Sequence, residues 1–177
     1  MYTDFAHLDQ LNQDKGYRES NFKGLARLSA DEKTAQISNP ENRVKANTIS
    51  INISGPLYNP VYQYDAASNK YLRFHSQDPH QSIHLDGQLK QNAPDVVVAM
   101  RSAAVPRPDT YHFDYTTKGE DDVYIFQNGI VIPGKWRREK LSDELRFYDL
   151  DGQEIKLNPG QIWVSLYPAQ SGSVEYN

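Results

Sequence analysis

From Lys45 onward, apolar and polar residues alternate with period two; before it they recur only briefly, at helical spacing. In "ANTISINIS" (46–54), Ile49, Ile51 and Ile53 alternate with Ser50 and Asn52, which predicts a strand with one buried face. "VYQYDAASNKYLRFHS" (61–76) predicts a hairpin: Tyr62 and Tyr64 lead in, Ala66 to Asn69 turn, and Tyr71 to Phe74 lead out. "DVVVAM" (95–100) is continuously apolar and predicts a central strand covered on both faces. "TYHFDYTT" (110–117) alternates again.

Glycine-containing reversals punctuate the second half. Asn128-Gly129, inside "VYIFQNGIVIPGKW", is a strong hairpin signal, because both turn positions favour positive φ. Asp151-Gly152, inside "LRFYDLDGQEIKL", predicts a second hairpin. Pro159-Gly160 leads into a last strand, with Ile162, Val164 and Leu166 facing one way and Trp163 and Tyr167 the other. About nine or ten strands at spacings of roughly 8–12 residues predict a mainly β fold. The expected form is an antiparallel β-sandwich or partly open barrel with a short N-terminal helix.

That helix is expected from Thr3 as N-cap, Asp4 in the first turn, Phe5, Leu8 and Leu11 at helical spacing, and Gly16 as its end. Three turns offer too small an apolar face to stand alone, so the helix is expected to pack on something. Residues 17–45 are polar, with "SNPENR" (38–43) a turn; they read as a linker or as a wrap held by Phe22, Leu25 and Leu28. The whole chain, 1–177, is expected to be one domain: helix and irregular wrap over 1–44, β core over 45–168, tail over 169–177.

Composition narrows the picture. Only 38% of the residues are hydrophobic, yet twelve Tyr, six Phe and two Trp imply a core built largely from rings. A formal charge of −4 without a basic stripe argues against nucleic acid as a partner. The absence of Cys excludes disulfides, Cys-based zinc sites and thiol chemistry. No apolar run approaches the length of a membrane span, and neither leader nor lipobox opens the sequence, so any export signal is expected upstream of Met1.

Candidate chemistry is sparse. Asp149, Asp151 and Glu154 resemble a calcium loop, but the glycine follows the first Asp too soon and the flanks are strands, so they read as a hairpin turn. His75, Asp78, His80 and His84, with Asp86 behind them, are suitable metal ligands, although Pro79 argues against the helix that would align His80 with His84. Glu120, Asp121 and Asp122 read as a solvated acidic loop. No G-x-S-x-G elbow, Walker loop or G-x-G-x-x-G occurs, and no cofactor is implied. Tyr62, Tyr64 and Tyr71 with Trp136 or Trp163 form a ligand-stacking face if they share an outer surface, and pair across strands otherwise. Arg73, Arg137 and Arg138 offer anion-binding forks or screen edge strands. The candidate binding set is therefore Tyr62, Tyr64, Tyr71, Arg73, His80, Trp136 and Arg138.

The order of "VYQYDAASNKYLRF", Pro79-His80, the apolar "VVV", "IFQNGIVIPGKWRR" and "RFYDLDGQEIKLNPGQIWVSLYP" resembles the C-terminal domain of the YerB-like lipoproteins, a bacterial family of unknown function. The resemblance covers roughly residues 44–168 and is most specific in its last stretch. It departs at Ser82, where relatives carry an acidic residue, at Asp95, where they carry Asn, and at "GEDD", which replaces a Gly-rich segment. The resemblance implies a non-catalytic C-terminal module of a larger, lipid-anchored, extracytoplasmic protein, supporting or binding an envelope component, protein or glycan. The alternatives are a cell-wall hydrolase using the His75–Asp86 loop, with or without a metal, and glycan binding through an aromatic face.

Overall fold

The computed structural model describes residues 4–19, 22–38, 43–84, 86–109 and 112–177. The elements are α1 (Phe5–Asp14), α2 (Ala30–Ser38), β1 (Thr48–Asn52), β2 (Pro60–Asp65), β3 (Lys70–His75), β4 (Asp78–Pro79) and β5 (Gln81–Ile83). Then follow β6 (Leu89–Gln91), β7 (Val96–Ser102), β8 (Ala104–Pro106), β9 (Phe113–Tyr115), β10 (Gly119–Gln127) and β11 (Ile130–Arg138). β12 (Arg146–Asp149), β13 (Ile162–Pro168) and β14 (Ser173–Tyr176) close the chain. One five-stranded sheet has the order β14-β1-β2-β3-β4, and a second has β12-β11-β10-β7-β13. β5–β6 and β8–β9 form two small hairpin ribbons. The fold is mainly β and sandwich-like; β13 runs parallel to β7, while the other pairs are antiparallel.

Alternation sorts the core into two layers. Ile49, Ile51, Tyr62 and Tyr71 of the first sheet meet Val97, Ala99, Phe126, Val131 and Tyr167 of the second. The opposite face of the second sheet carries Val96, Val98, Met100, Ile125, Trp136 and Phe147, covered by Ile155, Leu157 and Leu25. The second sheet is therefore buried on both sides, which is why "DVVVAM" is continuously apolar. The tight β10–β11 turn is built as its sequence predicts, with φ of 56° at Asn128 and 71° at Gly129. Within β11, Gly134 is required by close approach: a Cβ there would overlap the Tyr148 carbonyl oxygen of β12.

Several expectations are corrected. Asp4, not Thr3, caps α1, its carboxylate accepting from the His7 N–H; Thr3 lies outside the described residues. Gly16 ends the helix as expected, with its N–H on the Gln13 carbonyl and the Tyr17 N–H on that of Asn12. α1 buries none of its residues, however, and Phe5, Leu8 and Leu11 are exposed. In the wrap, Leu25 and Leu28 are held down but Phe22 is exposed. The wrap also contains α2, opened by a capping box in which Ser29 and Glu32 bond each other's backbone N–H. Most of "SNPENR", and Thr110 and Tyr111 of "TYHFDYTT", lie outside the described residues.

"GEDD" is not a solvated loop. It begins β10 and makes ion pairs with neighbouring strands: Glu120 with Arg137, Asp121 with Arg101, Asp122 with Lys135. The Asp151-Gly152 turn forms with Asp149 Oδ1 accepting from the N–H groups of Asp151 and Gln153. Its return arm is not a strand but touches β12 through the single bridge of Tyr148 with Glu154. The expected tail over 169–177 is likewise structured: β14 pairs antiparallel with β1, setting Val174 opposite Ile51.

Candidate functional site

On β3 the inward-facing positions are Tyr71 and Arg73, so period two delivers a guanidinium to a site where the neighbouring strands supply rings. Arg73 is only 6% exposed. Its backbone is pinned along the β4 edge of the strand: its N–H donates to the Asn92 carbonyl, and its carbonyl accepts from the His80 N–H and the Gln91 side-chain amide. These bonds bring His80, just past β4, and Asn92, just past β6, against the same residue. Trp163 of β13 reaches over from the other sheet, with the guanidinium carbon 4.2 Å from its ring centroid.

The guanidinium is held by neutral groups. Nη1 donates to His75 Nε2 at 2.7 Å and to His80 Nδ1 at 2.5 Å, and Nε donates to the Tyr62 hydroxyl at 3.4 Å. The two imidazoles stack at 4.3 Å between centroids, and His80 meets Trp163 edge-on. His80 Nδ1 also accepts from the Asn92 amide at 2.8 Å, and Asn92 Oδ1 accepts from the Ser82 hydroxyl at 2.9 Å. These bonds assign the tautomers: both imidazoles accept from Arg73, leaving the proton on His75 Nδ1 and on His80 Nε2. Among the described residues no carboxylate forms an ion pair with Arg73.

Burial, then the Arg73 charge, lowers the pKa of His75 below its ordinary 6.5; the same two causes, with His75 as a third, lower that of His80. Both rings therefore stay neutral in the fold through a range where unfolded imidazoles take up protons. The unfolded chain binds more protons as the pH falls below 6.5, so stability present above that value is lost on acidification towards the lowered folded pKa values. The urea midpoint is expected to fall as pH is lowered through this window, and to fall less in a His75→Gln, His80→Gln double variant, whose amides do not titrate. Equal pH slopes in the two proteins would show that the pair is not held neutral.

The structure brings together Tyr62, Arg73 and His80 of the candidate binding set and adds His75, Asn92 and Trp163. The others go elsewhere. Tyr71 is fully buried, accepting from the Gly129 N–H, and Tyr64 packs on it and donates to Asn69. Trp136 lies in the far core layer, its indole N–H on the Arg101 carbonyl at 2.7 Å. Arg138 bonds the Asp143 carbonyl at the end of β11. With Tyr62, Tyr71 and Trp136 enclosed, these rings do not share an outer surface, the condition for a ligand-stacking face. Of the metal set, His75 and His80 turn a nitrogen towards a cation, which repels a metal ion, while Asp78 and His84 are exposed. Among the described residues no group of three or more His, Asp or Glu could hold a metal ion.

Alternation alone could have placed Arg73 and His75 beside Tyr71 on the inner face of their strand. Asn92 and Trp163 carry no local signal, because backbone and sheet pairings far along the chain bring them in.

Residues 49–164 match the family model described as "Protein of unknown function (DUF3048) C-terminal domain". The fold is similar to the crystal structure of the YerB protein from Bacillus subtilis, with a TM-score of 0.68 and 15% sequence identity over 98% of this chain. The match covers 54% of the YerB chain, so this chain spans about half the length of that structure. No match was found among curated proteins. Among the described residues no helix is long and apolar enough to cross a membrane. With the matched region covering most of the β core, the chain belongs to the DUF3048 family, whose C-terminal domain it carries.

Proposed function

We infer that the chain is a non-catalytic binding module of an extracytoplasmic, lipid-anchored envelope protein, and that it engages an envelope glycan at the surface over Arg73. The envelope setting rests on the resemblance to the YerB-like lipoproteins. The binding reading is supported above all by one observation: a nearly buried guanidinium with no carboxylate partner among the described residues, kept in place by two imidazoles and an indole. Removing a cation from water without a counter-charge is costly, so an arrangement that keeps one is better explained by a ligand than by the fold.

The surroundings favour a glycan over a protein. Protein hot spots centre on desolvated apolar pockets. Here the groups around Arg73 are the buried Tyr62 hydroxyl, His75, His80 and Asn92, with Ser82 bonded to Asn92 and the half-buried Trp163 ring against the guanidinium. Polar donors with one ring suit a hydroxyl-rich ligand. Hydrolysis is disfavoured because each imidazole already commits one nitrogen to Arg73 or Asn92, and among the described residues no candidate nucleophile bonds to either.

Co-sedimentation with purified bacterial cell-wall glycan tests the reading. Wild-type protein is expected in the pellet and Arg73→Met in the supernatant. Equal partition of the two proteins, in either fraction, would contradict it.

A further inference from the structure

We propose that the group recognised at Arg73 is an anion, a carboxylate or phosphate borne by the glycan; this rests on the binding reading above and gives it its chemistry. Arg73 Nε and Nη1 are engaged with Tyr62, His75 and His80, whereas among the described residues Nη2 has no hydrogen-bond partner. Among the described residues no enclosed side-chain nitrogen or oxygen lacks a partner, so Nη2 is not fully enclosed. The same reasoning applies to the remaining ring nitrogens, His75 Nδ1 and His80 Nε2, both of which carry protons in the assigned tautomers.

The free hydrogen-bonding atoms of the guanidinium and both imidazoles are thus all donors. Asn92 adds an amide whose oxygen is already taken by Ser82. A neutral sugar hydroxyl would use such donors one at a time, whereas an oxyanion accepts from several at once and supplies the missing charge. Among the described residues the chain provides no substitute from within. The buried Asp95 carboxylate is committed to Lys70 at 2.8 Å and to the Gln161 N–H at 2.9 Å. Asp78, opposite His75 in the ladder, is exposed and forms no ion pair with Arg73.

The test is an NMR titration of the full 177-residue chain with three probes at matched ionic strength: sodium phosphate, sodium glucuronate and glucose. The ring signals of His75 and His80, the Trp163 indole and the Arg73 side chain report occupancy. Saturable shifts with phosphate or glucuronate and none with glucose are expected, and the stronger of the two names the source of the charge. Arg73→Met should lose the response. Ser82→Glu, which alters no buried core residue, should also lose it, because it tethers a carboxylate beside the Asn92 amide that holds His80.

If glucose shifts the same signals as strongly as glucuronate, or neither anion shifts them while wild-type protein still pellets with cell-wall glycan, the anion is wrong and glycan binding survives. If phosphate or glucuronate binds but no glycan pellets the protein, the anion site stands and the glycan reading falls.

Discussion

Replacing Trp136 with alanine is expected to cost about 3–5 kcal/mol of folding stability, against a total of about 5–15 kcal/mol for an ordinary domain. The indole is 2% exposed and packs in the outer core layer with Met100, Val123 and Phe147. Truncation removes that packing, leaves a cavity that the β11–β12 ladder resists closing, and orphans the Arg101 carbonyl. The anion response at Arg73 should persist in the folded fraction, since the two residues lie in different layers. Urea denaturation with an unchanged slope checks the cost. A loss under about 1 kcal/mol, far below the usual range for a buried ring, would mean the indole is not part of the core.

Trp136 also shows how far the sequence could be read. Strand positions followed from alternation because each strand has a face in a core layer, and the Asn128-Gly129 hairpin from local φ preference. Which tryptophan stands against Arg73 did not follow, because the second sheet is buried on both faces and alternation cannot rank them. α2 escaped notice because its residues are polar, although the Ser29 to Glu32 spacing of its capping box was readable. β14 escaped because a four-residue strand has too short a period and its partner, β1, lies near the opposite end of the chain. His75 and His80 looked like metal ligands because residue type is visible in sequence and a cation placed between them is not.

Arg73→Met should have the largest effect on binding and almost none on folding. Met keeps the apolar stem and sets a polarizable sulfur against Trp163. It also removes a charge whose desolvation no carboxylate offsets, so the variant should be at least as stable as the wild type. The hydrogen bonds lost are two to half-buried imidazoles that water can serve instead, and one long contact of 3.4 Å to the buried Tyr62 hydroxyl. The anion response, by contrast, should vanish, because Nη2 is its anchor. A residue retained without benefit to the fold and needed for the ligand is the expected signature of a binding centre.

Urea unfolding of the wild type and Arg73→Met, each with and without phosphate, tests this most directly. Saturating phosphate should stabilise the wild type, by about 2.7 kcal/mol at a hundredfold excess over the dissociation constant. Arg73→Met should start no lower than the phosphate-free wild type and should not respond. A variant that has lost several kcal/mol before any phosphate is added, and then responds as the wild type does, would show that Arg73 serves the fold and not a ligand.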